Sequence, residues 1–140
     1  MSFPKGVNTM KLPREDVIRY LATVVHVSRL DGELSPRETA LINEIQNRIG
    51  ATQLELSQAY SAAEDASFKF TPFSRFALNA QLLEDLIATC LIDGSVDVSE
   101  QKPIVELAIS AGISQEQLSV IAKDANAVIT ALSQSPPRPD

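Results

Sequence analysis

Apolar residues recur along most of this chain at helical rather than strand spacing. Val17, Ile18, Leu21, Val24 and Val25 recur with helical spacing in a helix that begins near Pro13, with Glu15 and Asp16 in its first turn. The pattern predicts a helix to about Leu30, where Asp31-Gly32 breaks it. Ser35-Pro36-Arg37-Glu38 restarts one, with a serine N-cap, proline at the first helical position and a glutamate that completes a capping box. Leu41, Ile42, Ile45 and Ile49 form its buried stripe, and Gly50 stops it.

Thr52-Gln53-Leu54-Glu55 is a second capping box and opens a helix through about Ala63. Residues 64–71 have no clear period and read as a connector. Thr71-Pro72 can cap a longer segment carrying Phe73, Phe76, Leu83, Leu86 and Ile87, which reaches Ile92 before a second Asp-Gly pair. Asp97 caps the next helix. Ser114-Gln115-Glu116-Gln117 starts the last one, with Leu118, Ile121, Ala125, Val128 and Leu132 on one face. No segment alternates convincingly with a two-residue period, so the fold class expected is all-α.

The breakers repeat. A shift of 62 residues superimposes Asp31-Gly32 on Asp93-Gly94, Glu38 on Glu100, Ile42 on Ile104, Glu44 on Glu106 and Gly50 on Gly112. Leu21 likewise falls on Leu83, Gln53 on Gln115, Leu56 on Leu118 and Ser57 on Ser119, so ten of the forty pairs from 20/82 to 59/121 are identical without a gap. Each copy reads as a helix, an Asp-Gly loop, a second helix ending in glycine, and a third begun by a capping box. One such unit cannot cover its own apolar faces, which predicts a single-domain bundle of two repeats, about 13–63 and 77–124, related by a pseudo-twofold axis. Residues 1–12 are expected to be a flexible lead segment. The proline-rich end, 133–140, is expected to be a disordered tail.

Chain length and charge narrow the function. The 140 residues suit one domain, with 44% apolar residues and only 5% aromatic. Twelve basic against eighteen acidic residues leave a net charge of −6, which disfavours nucleic acid as a partner. The acidity is concentrated in the second half, with −6 over residues 64–124. No stretch approaches the roughly 18 apolar residues of a membrane span, and Met1-Ser2-Phe3-Pro4-Lys5 lacks a secretory apolar region, so a cytoplasmic protein is expected, with no direct membrane insertion.

Little in the sequence points to catalysis. The single Cys90 sits in an apolar run and reads as a small hydrophobe, and the single His26 as a histidine at a helix surface or core edge. There is no Gly-rich phosphate loop, Cys-x-x-Cys, His-Glu-x-x-His or nucleophile elbow. The expectation is a non-enzymatic protein that binds another protein.

Chemistry concentrates in the two Asp-Gly loops. Their spacing, Asp-Gly-x-apolar-x-x-x-Glu, matches the second half of an EF-hand loop, but Val27 and Arg29, and Thr89 and Leu91 in the second copy, stand where the first half would supply oxygen ligands. A standard EF-hand is therefore not expected. Glu38 and Glu100 have two roles open to them, as capping-box glutamates or as ligands of a hard cation. Asp31 and Asp93 can stabilise a turn before a glycine of positive φ. If the two loops approached each other, their unneutralised acids would repel, and a divalent ion would relieve that repulsion.

Taken together, Asp31-Gly32, Glu38 and Gly50 with Asp93-Gly94, Glu100 and Gly112 make the chain resemble the bacterial tellurite-resistance TerB-like family over roughly residues 13–130. That resemblance implies an all-α fold of about seven helices and a cytoplasmic role in stress or tellurite resistance. It also implies one divalent metal ion, Ca²⁺, Mg²⁺ or Mn²⁺, held by the acidic loop residues Asp31, Glu38, Asp93 and Glu100. Related domains occur in membrane-anchored DnaJ-like co-chaperones, so a metal-free helical adaptor stands beside the metal-binding module. The second loop departs from the first, with Ser95 in place of Glu33 and Asp97 in place of Ser35.

Overall fold

The computed structural model of the chain describes residues 12–30, 32–92 and 98–133, with side chains at all of these but 98–100 and 127–133. The expected flexible segment, apart from Leu12, and the tail beyond Ser133 lie outside the described residues, as do Asp31, Asp93 and the cap expected at Asp97. Among the described residues there are six helices and no strand. They are α1 (Arg14–Ser28), α2 (Pro36–Ile49), α3 (Gln53–Glu64), α4 (Phe76–Leu91), α5 (Val98–Ser110) and α6 (Gln115–Ser133). The chain divides into two compact units, Met1–Phe70 and Thr71–Asp140.

In the first unit α1 packs chiefly on α3 and also on α2. Pro13 is the residue before α1 rather than its first, with φ −54° and ψ 144°, and the helix gives way to a turn at Arg29 and Leu30. Residues 20–25 are all buried, so α1 is covered round its circumference there and not along one stripe only. The buried Thr23 hydroxyl in that run is satisfied locally, its Oγ1 donating to the Arg19 carbonyl at 2.8 Å. Val17, Tyr20, Leu21, Ile42 and Ile45 are wholly buried, and such side chains each contribute about 1.5–3 kcal/mol of transfer free energy.

Helices α2 and α3 begin and end as their sequences predict. Ser35 and Thr52 each accept from the backbone N–H three residues on, while Glu38 and Glu55 accept in return from the cap N–H. Gly50 ends α2 at φ 75°, ψ 30°, with its N–H donating to Asn47 and the Ala51 N–H to Gln46. These two bonds satisfy carbonyls the helix end would leave open.

In the second unit α4 packs chiefly on α6 and also on α5. Leu82, Leu83 and Leu86 lie at its centre. Thr71-Pro72 does not start α4. That helix begins at Phe76, because the buried Asn79 side chain accepts from the Phe73 N–H at 2.8 Å and donates to the Phe73 carbonyl at 2.9 Å, holding Phe73 outside the helix. Phe73 is buried, whereas Phe76, expected on the apolar face, is exposed. Helix α5 ends at Ser110 with the same pair of bonds as α2, Gly112 to Ile109 and Ile113 to Ala108, and Gly112 has φ 76°. Ser114 and Gln117 then exchange capping bonds at the start of α6.

Candidate functional site

The first Asp-Gly loop follows directly from the end of α1. Arg29 and Leu30 continue its hydrogen bonding to Val25 and Val27, and the Gly32 N–H donates to the Arg29 carbonyl at 3.0 Å with Gly32 at φ 137°. The positive φ expected of this glycine is present. Ser28, at the root of the loop, is wholly buried, and its Oγ has no hydrogen-bond partner among the described residues.

Of the four candidate ligands, Glu38 is the one whose side chain is described. It is 4% exposed, in the third position of α2, and its Oε1 accepts from the Ser35 N–H at 2.8 Å. The capping role is therefore occupied. Glu100 takes the same third position in α5, and its side chain lies outside the described residues. Asp31 and Asp93 lie outside them too. Among the described residues no three His, Cys, Asp or Glu side chains form a group able to hold a metal ion.

The two residues that attract attention in any search for catalysis have structural surroundings. His26 is half-buried near the end of α1. Its Nδ1 lies 3.4 Å from the Ala63 carbonyl, and its ring lies 4.9 Å from that of Phe68. Donation to that carbonyl requires the Nδ1-protonated tautomer or the imidazolium. Cys90 is 3% exposed in α4 and is the chain's single cysteine, so an internal disulfide is impossible.

Between α1 and α3 the first unit carries a set of polar clips that the sequence pattern did not reveal. Arg14 at the start of α1 pairs with Glu55 at the start of α3, its Nε donating to Oε2 at 3.0 Å and its Nη2 to Oε1. Arg29, just past the end of α1, pairs with Glu64 at the end of α3 at 3.0 Å. Start meets start and end meets end, so α1 and α3 run parallel. The Thr52 N–H and the Arg14 guanidinium hold the Glu55 carboxyl below its ordinary value. The Ser67 hydroxyl and N–H do the same for Asp65 in the connector. Burial pushes the Tyr60 phenol up, against the opposing influence of Arg29.

Sequence reasoning also passed over Asp85, which is 4% exposed among the leucines of α4 and lies 3.5 Å from Gln81 Nε2. The signal was present: an acid at position 85 falls between Leu82, Leu83 and Leu86 on a helix that has to be covered. No family model matches this chain, and neither does any curated protein or solved structure.

Proposed function

We propose that the chain is a non-enzymatic, cytoplasmic module of TerB-like type that binds another protein, associated with stress or tellurite resistance, with acidic Asp-Gly loops that bind a divalent ion. The observation that carries the reading is the matched punctuation of the two units. The glycine that ends α2 and the box that opens α3 recur at α5 and α6, 62 residues on, with the same hydrogen bonds. Glu38 and Glu100 occupy the same register after the two loops. This supports a duplicated helix–loop–helix unit and, with it, the resemblance that implies the function.

A metal-free adaptor is the second reading, favoured by the bond that already engages Glu38 Oε1. Thermal melts with and without Ca²⁺, Mg²⁺ or Mn²⁺ separate the two, comparing wild type with the Glu38→Gln, Glu100→Gln double variant. Glutamine keeps the capping bond but is a poorer ligand for a hard cation. An ion at about 100-fold its Kd stabilises a binding protein by about 2.7 kcal/mol. Loss of that shift in the double variant supports ligation, an equal shift in both makes the glutamates caps alone, and no shift in wild type leaves the adaptor.

A further inference from the structure

At the 62-residue shift, four exposed polar residues of the first unit correspond to exposed apolar residues of the second. Arg14 answers to Phe76, Asn43 to Val105, Asn47 to Ile109 and Gln58 to Val120. Ile109 is 72% exposed and Val105 45%. Since Asn43 and Asn47 occupy the matched positions of α2, an apolar side chain is not what this helix needs in order to fold.

Val105 and Ile109 are one turn apart and so adjoin on the outer surface of α5. The opposite side of the helix buries Ile104, Leu107 and Ala108. Around the outer pair lie the exposed Lys102, Glu106 and Ser110. The exposed apolar pair thus forms a short stripe at the spacing with which one helix reads another.

Charge says what kind of helix. Residues 71–140 hold nine acidic and four basic side chains, residues 1–70 nine and eight. The apolar stripe belongs to the acidic unit. A second copy of that unit would meet it with like charge, while a basic partner would meet opposite charge.

We propose that the outer face of α5, centred on Val105 and Ile109, docks an amphipathic helix of another protein with apolar residues on one face and Lys or Arg flanking them. This deepens the protein-binding reading above and rests on it. The test is fluorescence titration of the full chain with a labelled Leu/Lys amphipathic peptide of about four turns, beside its Leu/Glu counterpart. The Leu/Lys peptide binds and the Leu/Glu peptide does not. Val105→Asn with Ile109→Asn, which installs the residues of the first unit, weakens binding at least tenfold and leaves the circular dichroism and melting point near wild type.

Equal binding by the double variant overturns the site while leaving protein binding in place. Equal binding of both peptides overturns the basic partner, and binding of neither overturns this docking face while leaving protein binding elsewhere on the chain in place. Should the wild type form a dimer in sedimentation that the double variant does not, the occupant is a second copy and the proposal fails.

Discussion

The two units share their punctuation and differ in what they attach to it. In both, a left-handed glycine closes the second helix and a hydroxyl cap opens the third. Only the first unit, among the described residues, adds charge to that frame: Glu55 in its box also takes Arg14, whereas the second unit has the neutral Gln117 in its box and an exposed Phe76 where Arg14 stands. Backbone groups at helix ends must be satisfied wherever a helix ends, and short local bonds do this in few ways. Surface residues carry no such obligation, so they are where the units diverge.

The largest test of this equivalence is in the cores. Leu21 and Leu83 are the same residue at matched positions, both fully buried, so Leu21→Ala and Leu83→Ala should each cost about 2–5 kcal/mol in urea unfolding. Values at opposite ends of that range would break the comparison, because they would mean that one site collapses around the cavity and the other cannot.

Next come the glycines. A Cβ built at Gly50 or Gly112 meets nothing within 4 Å, so the cost of Gly50→Ala or Gly112→Ala is the left-handed backbone alone, about 1–2 kcal/mol in each unit. A much larger loss at one position would reveal a neighbour that static packing does not show. Thr52→Ala and Ser114→Ala remove equivalent caps and should lower stability by about 1 kcal/mol each.

The smallest effect separates the units by pH. The Thr52 N–H and the Arg14 guanidinium hold the Glu55 carboxyl below the ordinary glutamate value, so its contribution is present above the unfolded pKa and lost as pH falls through the folded one. Glu55→Gln should therefore be less stable than wild type near pH 6, with the gap closing as pH falls below about 4.5. Gln117 carries no charge, so Gln117→Ala should change stability by the same amount at both ends of that pH range. Added salt should narrow the Glu55 gap at pH 6, since the Arg14 side of the pair is exposed.

Sequence reading went furthest where the interaction spans few residues. Ser35 with Glu38, Thr52 with Glu55 and Ser114 with Gln117 were each legible as boxes of four residues. It failed at Thr71-Pro72, where a cap signal was present but Asn79, six residues from Phe73, took that residue's backbone for itself. In α1 the helical spacing was legible, but the burial of Ala22 and Thr23 beside the large apolar residues was set by packing. At Ser35 and Glu38 the capping box was legible in the sequence, while the burial of Glu38 depended on how the helices pack.

What the sequence determined by itself, then, was the helical class, the stops and the starts, because glycine, proline and short polar side chains act on backbone within one turn of themselves. The tertiary structure decided which faces are wet and which charges meet. Arg14 reaches Glu55 across 41 positions and His26 lies beside Ala63 across 37. Such contacts form because parallel packing of α1 against α3 brings distant ends together, and no periodicity in the chain encodes that placement.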